Sequence, residues 1–215
     1  MIFSQDKKKR PWKYIFSGPF LICNVYISLL FANSVQKSIS KLTDKLVPAS
    51  WQIAIAGGIT PNSLVSYYGY IYALDNKKEE ITKSRFLNGE VGEGSNWLKE
   101  KQDLTGAKSL AIDGSIYVLY QDGKVKKYYQ GEERNFALAT ITNPPTNPLK
   151  IFTTDKNKLL YILEKNRLLV YDKAGKLTAQ YLSPQFLNLK DVYVSETDNQ
   201  IYLLNNNEVL FIELN

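Results

Sequence analysis

Hydrophobic and polar positions alternate along most of this chain with the period of two that a half-buried strand requires. One short pattern recurs within that alternation. Ile71-Tyr72-Ala73-Leu74, Ile116-Tyr117-Val118-Leu119, Leu160-Tyr161-Ile162-Leu163 and Ile201-Tyr202-Leu203-Leu204 follow one another at steps of 45, 44 and 41 residues. Tyr is second and Leu fourth every time. One such tetrad carries no information, but four at near-constant spacing mark an internal repeat.

The flanks repeat as well. Ahead of each tetrad lies a strand-like stretch, at 64–68, 109–113, 150–154 and 191–195. A polar turn separates the two, most plainly Asp155-Lys156-Asn157-Lys158 and Glu196-Thr197-Asp198-Asn199. A third strand is expected at 124–129, 167–172 and 208–214, and a fourth at 135–141 and 177–182. Asp122-Gly123 and Ala174-Gly175 supply turns between antiparallel neighbours. Each unit therefore reads as a four-stranded meander of about 40–45 residues, the size of a propeller blade. The expected fold is all-β: a β-propeller of four recognisable four-stranded blades over 51–215. Helical and parallel-sheet repeats fit badly, because no 3.6-residue periodicity appears after Pro48.

Before Pro48 the pattern changes. Lys7, Lys8, Lys9, Arg10 and Lys13 precede an apolar run from 14 to 32, long enough to span a hydrocarbon core. Those five bases would hold the N-terminus in the cytoplasm, so residues 1–34 read as a basic leader with a transmembrane or signal segment. Two readings compete with an uncleaved anchor. Residues 20–31 have the size of a signal-peptide core before Ala32-Asn33-Ser34, and the run could also be an ordinary buried helix. Anchor or signal, the rest of the chain is exported: a single-pass protein with its C-terminal domain outside, or a secreted one after cleavage. Val35, Ile39, Leu42 and Leu46 then recur at helical spacing, which makes 35–50 a juxtamembrane helix or stalk, or a helix capping the domain behind it.

Composition limits the chemistry. The sequence has 215 residues and no histidine, which removes the commonest general base, the His-containing nucleophile systems and every His-ligated metal site. Cys23 is the single cysteine, so neither an intramolecular disulfide nor a thiolate metal cage is available. The net charge is +6, but residues 1–34 carry +4 of it and the body is nearly balanced. The basicity is a membrane address and gives no support to nucleic-acid binding. Lys124, Lys126 and Lys127 sit near Asp122, Glu132 and Glu133 and read as a solvated edge. The glycine-rich stretch at 89–94 lacks the following Lys-Ser/Thr of a phosphate loop.

The segment NPLKIFTTDKNKLLYILEKNRLLVYDKAGK at 147–176 resembles one blade of the NHL and gluconolactonase-like propellers. The matching elements are Asp155, the tetrad from Leu160, Asn166-Arg167, Val170-Tyr171-Asp172 and Gly175. The region from about Asn96 onward is also similar to propeller regions of membrane-anchored bacterial proteins of unassigned activity. Two functional classes follow. The resemblance to gluconolactonases implies a hydrolase with oxygen ligands around Ca²⁺ or Mg²⁺, for which Asp113, Asp155, Asp191 and Glu196 are the candidates, each with a plain alternative as a turn former. The other class is a non-catalytic binding or sensing module with no cofactor, taking a protein or small ligand. Its contact-face candidates are Tyr67, Tyr68, Tyr70, Tyr120, Tyr128 and Tyr129, unless period-two alternation turns half of them into the packing. The binding module is favoured.

Ring closure stays open. The last unit stops after its third strand, and Trp51-Gln52-Ile53-Ala54-Ile55-Ala56 could complete it, protecting an open edge and closing four blades. NHL-type propellers usually have six blades, so the alternative is a partial ring, completed by self-association as a homodimer or truncated from a longer ancestor.

Overall fold

A computed structural model of the chain describes residues 61–87 and 90–214. The basic leader, the stalk and the strand expected at 51–56 lie outside the described residues. Fifteen strands form four antiparallel sheets that succeed one another along the chain, a four-bladed β-propeller arrangement. Blade 1 holds β1 (Ser63–Tyr67), β2 (Tyr70–Asp75), β3 (Glu80–Leu87) and β4 (Glu90–Asn96). Blade 2 holds β5 (Ala107–Ile112), β6 (Ile116–Tyr120), β7 (Val125–Tyr129) and β8 (Glu132–Arg134). Blade 3 holds β9 (Lys150–Phe152), β10 (Leu159–Leu163), β11 (Arg167–Asp172) and β12 (Leu177–Leu182). Blade 4 has three strands, β13 (Leu189–Ser195), β14 (Gln200–Asn205) and β15 (Glu208–Glu213).

The repeated tetrad is the second strand of every blade, and its alternation decides what each face touches. Tyr72 and Leu74 pack forward onto Leu110, Ile112, Ile116 and Val118 of blade 2. Tyr117 and Leu119 pack forward onto Ile151, Leu160 and Ile162 of blade 3. Tyr161 and Leu163 pack forward onto Val192, Val194, Ile201 and Leu203 of blade 4. The middle blades are thus apolar on both faces, and β6 is buried at every residue. In β14 the same alternation leaves Ile201, Leu203 and Asn205 buried, with Gln200, Tyr202 and Leu204 only half-buried.

The inner strands are stitched together through one repeat position, held by Ser63, Ser109, Lys150 and Asp191. Leu110 N–H donates to Ser63 Oγ at 3.1 Å, and Ile151 N–H donates to Ser109 Oγ at 3.3 Å. Lys150, in the same repeat position of blade 3, donates to Asp191 of blade 4. A second rung comes from the residue after each tetrad. The Glu164 carboxylate accepts from Thr146 N–H and Asn147 N–H, and Tyr120 OH donates to the Asp103 carbonyl at 2.9 Å. Asn205 accepts from Asn188 N–H and donates to the Gln185 carbonyl. These side chains fasten the connections that enter blades 2, 3 and 4.

One strand expectation needs correction. The stretch 135–141 is not the outer strand of blade 2; that strand is only Glu132–Arg134. Phe136, Leu138 and Ile141 instead pack against the cluster between blades 2 and 3, so their spacing reports burial of a strap and not strand pairing. The strap crosses the β11–β12 turn, where Ala139 N–H donates to the Gly175 carbonyl at 2.7 Å. Gly175 has φ +90°, and a Cβ there would overlap the Ala137 carbonyl oxygen. Gly94, in the glycine-rich stretch, lies in β4, where a Cβ would overlap Thr82 and Ser84.

Gly175→Ala combines a left-handed backbone with overpacking and should cost at least about 2 kcal/mol of unfolding free energy. Gly92→Ala, whose Cβ would meet only the Arg85 carbonyl at 3.5 Å, should change stability by under about 0.5 kcal/mol. Urea denaturation of the two variants checks the contrast.

Candidate functional site

Because the inner strands run alike, the first hairpin turns of all four blades gather at one end of the arrangement. The β1–β2 turn carries Tyr68, the β5–β6 turn Asp113, the β9–β10 turn Asp155 and the β13–β14 turn Glu196. Contacts between blades join these turns. Tyr68 OH of blade 1 donates to Asp155 Oδ2 of blade 3 at 2.9 Å, across the axis of the arrangement. The Lys173 ammonium of blade 3 donates to Asp113 Oδ2 of blade 2 at 2.6 Å.

Each candidate carboxylate is held separately. Asp113 accepts from its own turn through Ser115 N–H at 3.0 Å, as well as from Lys173. Glu196 accepts from Lys158 N–H at 2.8 Å, Leu159 N–H at 3.1 Å and Tyr161 OH at 3.0 Å. Asp191 is buried, and its Oδ1 accepts from Val192 N–H at 2.7 Å and from Lys150. It belongs to the inner-strand stitching, away from the turn end. Among the described residues, no three Asp, Glu, His or Cys side chains are grouped to hold a metal ion.

The six tyrosines divide the same way. Tyr120 and Tyr128 are buried between blades 1 and 2, with Tyr67 and Tyr70 packed against that cluster. Tyr129 is exposed at the end of β7, with the Arg134 guanidinium 6.0 Å above its ring. Tyr68 is the open one, 74% exposed and edge-on to Tyr67 at 4.6 Å between centroids. The structure therefore brings Tyr67, Tyr68, Asp113, Asp155 and Glu196 to one end and scatters the remainder.

Beside that end, between blades 3 and 4, opens a cleft of about 510 Å³. Tyr161, Tyr181 and Leu214 supply apolar lining, and Lys158, Glu196 and Asn199 supply polar groups. Most of these residues carry no motif signal. Tyr161 did have one, because its place in the tetrad is fixed. Lys173 also escapes sequence reasoning, since it meets Asp113 only once blades 2 and 3 are stacked.

Charge at this end is buried and paired. Burial pushes the Lys173 ammonium below its usual range, against the pull of Asp113. Burial pushes the Tyr117 and Tyr161 phenols up, with Asp113 and Glu196 respectively reinforcing the shift. Burial likewise raises Tyr120, Tyr128, Tyr171 and Tyr193.

A phenol raised above its unfolded value of about 10 keeps its proton in the native state while the unfolded chain loses it. Its stabilisation is complete below pH 10 and is lost as pH climbs through the native value. Lys173 has the opposite sign, gaining stability as pH rises toward its unfolded value, but it is one group against six. With no histidine in the chain, stability should stay level between about pH 6 and 8 and fall steeply above about pH 10. Urea midpoints against pH, read alongside tyrosinate absorbance, check this. Full phenol ionisation ahead of unfolding would contradict it.

No family model and no curated protein sequence matches the chain. Among solved structures, the nidogen/laminin complex aligns at TM-score 0.54 and 16% identity, over 71% of this chain and 59% of that one. The computationally designed protein Ika4 aligns at TM-score 0.51 and 12% identity, over 74% of this chain and 94% of that one. Hydrazine synthase from Kuenenia stuttgartiensis aligns at TM-score 0.52 and 12% identity, over 72% of this chain but 46% of its own. Ika4 apart, the chain spans well under two thirds of the structures it matches here. At these identities the likeness is one of fold, that of a β-propeller.

Proposed function

We propose that the chain is a non-catalytic binding module, an NHL/gluconolactonase-like propeller held outside a membrane by residues 1–34. The turn end is the recognition surface, and its partner is a protein segment or small polar ligand. One observation carries the reading: Asp113, Asp191 and Glu196 are each held by backbone N–H or lysine donors, while the Tyr68 ring, its OH on Asp155, is 74% exposed at the turn end. A tyrosine presents a large contact area for the loss of only two side-chain rotations. The cleft pairs aromatic and aliphatic lining with an ammonium, a carboxylate and an amide, as ligand sites commonly do. The membrane address rests on Lys7, Lys8, Lys9, Arg10 and Lys13 ahead of the apolar run.

Photo-cross-linking tests this reading, with benzoylphenylalanine replacing Tyr68 in the full chain. One discrete adduct is expected in the membrane fraction, and none when the probe replaces Leu182 on β12. Ca²⁺ at about 5 mM, above the weak extracellular range, should leave the melting midpoint unchanged. A rise of several degrees accompanied by lactone hydrolysis would replace the binding module with a metal-dependent hydrolase.

A further inference from the structure

The strap that carries Phe136, Leu138 and Ile141 between blades 2 and 3 is fixed along its length. Its Ala137 carbonyl would overlap a Cβ at Gly175, and its Pro145 carbonyl would overlap a Cβ at Gly123 in the β6–β7 turn. Arg167 donates to the carbonyls of Asn143 and Pro144, each at 3.0 Å, and the Glu164 carboxylate accepts from Thr146 N–H and Asn147 N–H. Between the strap and the β6–β7 turn opens a cleft of about 400 Å³. Val125, Phe136, Leu138, Pro144 and Pro145 give it an apolar wall, and Tyr171 of blade 3 completes it.

Tyr171 is the residue that this packing leaves unsatisfied. Two buried side-chain polar atoms among the described residues have no hydrogen-bond partner, the hydroxyls of Tyr128 and Tyr171. Tyr128 lies inside the cluster between blades 1 and 2, with Tyr120 beside it. Tyr171 is wholly buried yet lines the cleft. Its phenol feels both Arg167 and Glu164, the two side chains that hold the strap, so the hydroxyl lies toward the Pro144–Pro145 end of the lining. Burial raises the phenol above its usual range, so it keeps its proton at neutral pH and can donate. A buried hydroxyl is nearly always bonded, and leaving one unbonded costs its full desolvation. The charges around the cleft, in contrast, are already matched. Lys124 pairs with Asp122 at 2.7 Å, Lys126 with Glu133 at 3.1 Å, and Arg167 with Glu164. A charged ligand would lose its hydration there and meet no unmatched partner.

We propose that the cleft between the strap and blade 2 is a small-molecule site. Its ligand is an uncharged compound with a compact apolar body and an oxygen acceptor for the Tyr171 hydroxyl. The volume falls within the roughly 300–1,000 Å³ of such sites, and one or two polar groups on an apolar wall are their usual make-up. The lining shares no residue with the cleft between blades 3 and 4, so the inference stands apart from what the turn end binds.

Benzamide, a neutral ring with an amide carbonyl, is the probe, followed by saturation-transfer NMR on the full chain in detergent with empty micelles as the blank. A Kd on the order of 1 mM is expected for a fragment of its size. Tyr171→Phe should weaken it about fivefold, the loss of one hydrogen bond. Benzoate at neutral pH should bind about tenfold more weakly than benzamide, and Tyr202→Phe, on blade 4, should alter neither. Without ligand, Tyr171→Phe should unfold at the same urea concentration or a higher one, because it removes an unbonded hydroxyl. A lower midpoint would mean that water or residues 1–60 already satisfy Tyr171, and overturns the proposal. Equal benzamide binding by the wild-type chain and Tyr171→Phe, or none above the micelle blank, overturns it as well.

Discussion

Packing of the Tyr-x-Leu pair of each second strand onto the blade that follows is the interaction on which the rest of the structure depends. A single antiparallel sheet of three or four short strands cannot bury both faces by itself. Blades 2 and 3 are stable because each is pressed between neighbours, with Tyr117, Leu119, Tyr161 and Leu163 filling the gaps. Large-to-small changes at such sites typically cost about 2–5 kcal/mol, which makes the stack and not the individual sheet the unit of stability.

The turn end inherits its geometry from that stack. Lys173 reaches Asp113, and Tyr161 reaches Glu196, only because adjacent blades are pinned at the inner strand and by the tetrads. Those contacts hold the Asp113 and Glu196 carboxylates in place, with Glu196 also lining the cleft between blades 3 and 4.

Repeat spacing and tetrad alternation made four blades and their order readable before any coordinates. Strands 167–172 and 177–182 fall where the sequence places them, because charged turn residues and glycine bound them on both sides. The outer strand of blade 2 was misplaced, since Phe136, Leu138 and Ile141 are apolar because they pack, partly buried, from a strap and not from a paired strand. The candidate site was legible only in part. Asp113, Asp155 and Glu196 were recognisable as turn residues, and they do share one end. Their partners lie 87, 60 and 35 residues away, as Tyr68 with Asp155, Lys173 with Asp113, and Tyr161 with Glu196, and no local pattern encodes such pairings. Period two also sorts the tyrosines: Tyr120 and Tyr128 belong to the packing, whereas Tyr68 sits in a turn, outside the alternation.

The central claim is that the forward face of each second strand is a blade–blade interface at the three junctions seen among the described residues. Leucine-to-alanine substitutions at Leu74, Leu119, Leu163 and Leu204 measure it most directly, by urea unfolding. The first three, fully buried at a junction, should each lose about 2–4 kcal/mol, and half-buried Leu204, in none of the core clusters, less than about 1 kcal/mol. Equal losses at all four positions would contradict the account, because the junctions would then contribute no more than the half-buried position on blade 4.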